Sequence, residues 1–127
     1  MDKITSEALL IKDFIESEWG HLFDVKLEVR LNGIFPEPVN RGLRHIWTYG
    51  TADLVVSRGG SPVAIIEPGG SHHWENRQRL NDRRKWMLAE KNGVACIHIM
   101  NGVVSGISRR QTRQMLGSVL FKKQKRG

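Results

Sequence analysis

Apolar and polar positions along the chain change period several times, and each change marks an element. From Ile4 to Trp19 apolar residues recur at helical spacing (Ile4, Ala8, Ile11, Phe14, Ile15, Trp19). Thr5 and Ser6 offer an N-cap and Gly20 a terminator. Val25 to Leu31 then alternates apolar and charged residues, the pattern of a strand with one wet face, and Asn32-Gly33 turns it. The runs Leu54-Val55-Val56 and Val63-Ala64-Ile65-Ile66 are continuously apolar, as central strands buried on both faces are. Arg58-Gly59-Gly60-Ser61 between them predicts a short hairpin connection.

Trp74 to Asn92 predicts a helix with Leu80, Met87 and Leu88 as its packing stripe, closed by Asn92-Gly93. Val94 to Met100 predicts another buried strand, and Ser108 to Phe121 a last helix with a serine cap. The order is α-β-β-β-α-β-α: an α/β (α+β) class fold with a central mixed sheet flanked by helices. At 127 residues it should be one domain, over residues 1–121, followed by a basic tail at 122–127. Ile34 to Gly50 reads as irregular. Its Arg41, Arg44 and His45 beside Trp47 and Tyr49 suit a nucleic-acid groove, or the loop packs on its own aromatics.

Charge changes the picture. Residues 1–70 carry a net −3 and residues 71–127 a net +10, which together give the overall +7. Such asymmetry suits a polyanion, with DNA the expected partner. No apolar run approaches the ~20 residues of a membrane span, so no membrane partner is expected. The single cysteine, Cys96, excludes a disulfide framework and points to a reducing intracellular setting, cytoplasmic in a bacterium, phage or mobile element.

The chemistry-bearing residues gather around Ile65-Ile66-Glu67-Pro68-Gly69-Gly70-Ser71-His72-His73. Glu67 ends one apolar run, and Asp53 opens the run before it. Two carboxylates converging from a hairpin are what Mg²⁺ needs, since it takes few carboxylates and keeps several waters. Hydrolysis of a phosphodiester needs charge neutralisation at phosphorus and a proton acceptor; a metal supplies the first and His73 the second. His72 and His73 are equally readable as a helix-capping pair, and Glu7 as an acid favoured by the helix dipole. Asp82 shares a predicted helix with Arg83, Arg84 and Lys85, of which Arg84 is the foremost phosphate contact.

Gly50-Thr51-Ala52-Asp53-Leu54-Val55, the Glu67 to Trp74 turn, Asn81-Asp82-Arg83-Arg84-Lys85 and Asn92-Gly93-Val94 resemble the PD-(D/E)XK nuclease superfamily. The resemblance is to its branch of very-short-patch mismatch-repair endonucleases and EDxHD homing endonucleases. It implies a restriction-endonuclease-like core and a Mg²⁺-dependent DNA endonuclease, with Mn²⁺ as a substitute and no small-molecule cofactor. In that reading Asp53 and Glu67 hold the metal, His73 is the catalytic histidine, and Asp82 and Glu7 complete the site. Arg41, Arg44, Arg83, Arg84, Lys85, Arg109, Arg110 and Arg113 would bind DNA. The family's lysine would fall two residues after Glu67, where Gly69 stands, so proton transfer is expected to rest on His73. One small domain, monomeric or weakly dimeric, has one active centre and should nick a single strand, leaving 5′-phosphate and 3′-hydroxyl ends. The alternatives are a double-strand-cutting dimer, a junction resolvase, a partner-directed subunit, or a non-catalytic nucleic-acid-binding module.

Overall fold

A computed structural model describes residues 6–69, 76–100 and 102–122. The elements are α1 (Ser6–Trp19), β1 (Asp24–Arg30), α2 (Arg44–Tyr49), β2 (Thr51–Arg58), β3 (Ser61–Gly69), α3 (Asn76–Lys91), β4 (Ala95–Met100), α4 (Val103–Gly106) and α5 (Arg109–Leu120). Single 3₁₀ turns cover Leu31–Gly33 and Arg41–Leu43. The four strands form one mixed sheet in the order β1-β2-β3-β4. β1, β2 and β3 are an antiparallel meander, and β4 returns parallel to β3 after the α3 crossover.

The β2–β3 connection is a two-residue turn. Gly59 and Gly60 have φ of 58° and 84°, a left-handed pair that glycine adopts without steric cost. α3 ends where expected: Gly93 has φ of 71°, its amide donates to the Glu90 carbonyl, and the Val94 amide donates to that of Ala89. Those two bonds satisfy carbonyls that the last turn of a helix leaves open. Ser108 caps α5 reciprocally with Gln111.

The sheet separates two cores. On one side α1 and α5 pack Ala8, Ile11, Phe14, Ile15, Leu116 and Leu120 against Leu54, Val56, Ala64, Ile66 and Ile99. On the other, α2 and α3 pack Ile46, Leu88 and Ala89 against Val55 and Ile65. The central strands β2 and β3 thus present apolar side chains to both faces, as their continuous runs require.

Four details differ from the sequence expectation. The segment 34–50 contains a helix, α2, whose six residues are too few to show a period. Within it Trp47 is half-buried and donates from Nε1 to the Phe35 carbonyl at 2.9 Å, which agrees with the expected alternative of a loop packed on its own aromatics. β4 is an edge strand, and His98 and Met100 are exposed. In α3 the stripe runs through Leu88 and Ala89, while Leu80 is 45% exposed. The short α4 was not anticipated either, because four residues carry no periodicity.

Candidate functional site

Glu67 is the centre of the site. It lies in β3 on the α3 face, between Ile66, which packs on the opposite face, and Pro68, and only 4% of it is exposed. An ionised carboxylate at that depth needs donors in place of water. It has them from two directions. The backbone amide of Asp53 donates to Oε2 at 2.9 Å, and the Lys85 ammonium donates to Oε1.

The first of these bonds follows from register. The β2–β3 ladder pairs Leu54 with Ile66, and Asp53 stands one residue further, opposite Glu67. There a side chain takes over from the backbone ladder. Beyond it Pro68, which has no amide to donate, pairs with Ile99 of β4. Glu67 stands beside the end of the β2–β3 hairpin ladder, and β3 continues two residues further to Gly69 along β4.

The second bond gives Lys85 a partner that its expected place among the DNA-binding residues does not indicate. In the structure Lys85 points from α3 onto Glu67, with 15% of its side chain exposed against 6% for Glu67. It lies three residues before Leu88 and four before Ala89, on the inward stripe of the helix. That spacing was the signal available in the sequence, hidden by the basic run Arg83-Arg84-Lys85. An ammonium thus stands at Glu67 although position 69 is glycine.

Asp82 belongs to the same neighbourhood. It is half-buried one turn before Lys85, and with Glu67 it faces the Cys96 thiol of β4. Burial above all, then the Glu67 charge and that of Asp82, push this thiol up to about 12, while Lys85 opposes them. Cys96 is therefore a neutral thiol at physiological pH, without the thiolate that nucleophilic or metal-ligating roles require.

Asp53 has an exposed side chain in the third position of β2. Across the β1–β2 ladder, between the pairs Leu27–Leu54 and Val29–Ala52, it faces Glu28. Glu28 has φ of 51°, a left-handed conformation that few non-glycine residues adopt and that costs about 1–3 kcal/mol. β1 changes faces there: Leu27 packs on the α1 side and Val29 on the α3 side.

Glu7 goes elsewhere. It is buried at 6% exposure on α1, and its Oε1 accepts from the Val104 amide at 2.9 Å. That bond holds α4 to α1 on the face of the sheet opposite α3, so Glu7 acts as a cap for α4. His73, with His72, lies outside the described residues.

The basic candidates divide by face. Arg83 is exposed and Arg84 half-buried on α3, and Arg41 is exposed in the turn that leads into α2. Arg44 is exposed, 3.9 Å from Glu37. On the opposite face, Arg109 and Arg113 reach Glu18 at 3.1 and 2.7 Å. Arg109 also lies over the Phe14 ring. These contacts, Arg113 first, hold the Glu18 carboxyl below the usual carboxylate range. Arg110 is exposed.

Two carboxylates on neighbouring strands fit Mg²⁺ by donor chemistry, because waters complete its shell. Among the described residues no group of three or more His, Cys, Asp or Glu is gathered tightly enough to hold a metal. Asp53 and Glu67 are the pair that would hold one.

Two outcomes test this geometry. Lys85→Met leaves a buried carboxylate unpaired and should cost about 3–5 kcal/mol in denaturant unfolding, whereas Glu67→Gln/Lys85→Met should lose clearly less than the two single changes combined. Additive losses would show that the two side chains are not coupled. For Cys96, alkylation of the folded protein at pH 8 should be slow and should accelerate on unfolding; equal rates in both states would contradict its burial beside Glu67.

Comparison with family models, with curated proteins and with solved structures finds no match for this chain.

Proposed function

We propose that this protein is a metal-dependent DNA endonuclease that hydrolyses phosphodiester bonds. The observation that carries the reading is a buried carboxylate, Glu67, held by the Asp53 amide and the Lys85 ammonium, beside the exposed acid Asp53. A buried carboxylate with a second acid opposite it on the neighbouring strand is a donor pair that Mg²⁺ accepts.

Asp53 and Glu67 would hold the Mg²⁺. When bound, such an ion supplies charge neutralisation at the reacting phosphate. The chain's residues supply the rest. Lys85 fixes the Glu67 carboxylate and sets a cation one side chain away from the pair. Arg83 and Arg84, one and two residues before it, would bind neighbouring backbone phosphates. Asp82 orients groups on the same side of α3, and His73, by its resemblance to the nuclease histidine, takes or gives the proton. The fold is an α+β mixed sheet with helices on both faces, an architecture compatible with the restriction-endonuclease-like core.

One domain with one such pair acts on one strand at a time, so the product should be a nick with 5′-phosphate and 3′-hydroxyl ends. The second reading is a nucleic-acid-binding module in which Glu67 and Lys85 only stabilise the fold. The Glu67–Lys85 ion pair itself, which neutralises Glu67 without a metal, favours it.

Incubation of supercoiled plasmid with Mg²⁺ should give open circles before any linear form. EDTA should abolish nicking, and Asp53→Ala should slow it by at least about 10²-fold. Retention of plasmid without cleavage, unchanged by EDTA, would establish the binding module instead. Linear product with no open-circle stage would establish a double-strand-cutting dimer.

A further inference from the structure

Segment 34–50 is readable as a nucleic-acid surface or as a loop packed on its aromatics, and its residues divide between the two. Leu43 and Ile46 are buried, and Trp47 is half-buried with its Nε1 bonded to the Phe35 carbonyl. At about 100° per residue these three occupy one side of α2 and the turn before it, while Arg41, Arg44, His45 and Tyr49 fall on the other. All four are exposed, Tyr49 to 67%.

The outward ring is held in place. His45 stands one helical turn before Tyr49, with ring centroids 5.0 Å apart and planes tilted by 52°. The backbone beneath them is pinned to the sheet. The Gly50 amide donates to the Ile46 carbonyl at 2.7 Å, and the Gly50 carbonyl accepts from the Leu31 amide at 3.0 Å. A Cβ at Gly50 would overlap the Ile46 carbonyl oxygen and stand 2.9 Å from Leu31 Cδ1, so α2 enters β2 by a close-packed junction. Asp53 follows Tyr49 by four residues, at most about 14 Å of backbone. At ~3.4 Å per stacked nucleotide, that is the reach of about four nucleotides.

We propose that Tyr49, supported by His45, is a stacking platform for an unpaired base of the DNA strand held at Asp53, with Arg41 and Arg44 on the flanking phosphates. The inference rests on the reading of this protein as one that acts on DNA, and it adds what is selected: a strand with an unpaired nucleotide. Stacking on a side-chain ring needs a free base face, which a base inside a continuous duplex does not offer. A ring already braced by its neighbour loses little freedom when a base settles on it. The charge around it suits a polyanion, since between residues 36 and 50 the arginines Arg41 and Arg44 face a single acid, Glu37. A protein partner would favour an apolar surround, whereas Arg44, His45 and Thr48 flank Tyr49 on α2.

The test is binding, measured apart from cleavage. A labelled single-stranded oligonucleotide and its blunt duplex are each titrated with the full chain in EDTA and followed by fluorescence anisotropy. The single strand should bind more tightly than the duplex. Tyr49→Ala should weaken single-strand binding by about tenfold, and Tyr49→Phe, which keeps the ring, by less than about twofold, both with melting temperature unchanged. Absence of single-strand binding, unchanged affinity in Tyr49→Ala, an equal loss on the duplex, or Tyr49→Phe as weak as Tyr49→Ala would each overturn the platform. Plasmid nicking in Mg²⁺ by the unaltered chain and by Asp53→Ala reads the nuclease assignment separately. Nicking that depends on Asp53, with binding indifferent to Tyr49, removes the platform and keeps the nuclease. Binding that depends on Tyr49, with no nicking, removes the nuclease and keeps the platform on a binding module.

Discussion

A carboxylate with 4% exposure cannot remain ionised on a sheet face without partners, and the site is organised by how Glu67 obtains them. It recruits a backbone amide from β2 and an ammonium from α3. The first ties β3 to β2 where their ladder stops. The second fixes the rotation of α3 over the sheet, so that Asp82 also turns inward and Arg83 outward. Removal of either partner exposes the cost of the buried charge, which is why one residue constrains three elements.

The parts of this arrangement legible in the sequence are those with a local signature. Alternation located β1, continuous apolar runs located β2 and β3 as inner strands, and Gly59-Gly60 located the hairpin turn. Gly93 located the end of α3. Asp53 and Glu67 were visible as acids at the edges of apolar runs. Their relation to each other was less visible, since it depends on a register that places Asp53 one row beyond the Leu54–Ile66 pair. The inward turn of Lys85 was hidden for a similar reason. Three adjacent cations look alike in sequence, and only the packing of Leu88 and Ala89 on the sheet separates the inward one from the others.

The charge asymmetry of the chain is only partly free for a ligand. Arg109 and Arg113 serve Glu18, Lys85 serves Glu67, and Glu7 caps α4 on the face opposite α3. Among the described residues, the candidate cations on the same side as Glu67 that keep exposed surface are Arg41, Arg44, Arg83 and, in part, Arg84. A polyanion bound at the acidic pair would meet these first, with the strained turn of β1 at Glu28 beside Asp53.

In the proposed site Asp53 and Glu67 together would bind a divalent cation. Calorimetric titration of the protein with Mn²⁺, which replaces Mg²⁺ at oxygen-rich sites, addresses it without requiring a DNA target. One ion should bind per chain, and Asp53→Asn, an exposed change that leaves the Glu67–Lys85 bond in place, should weaken binding by at least about tenfold. Equal binding by the unaltered chain and Asp53→Asn would contradict the account.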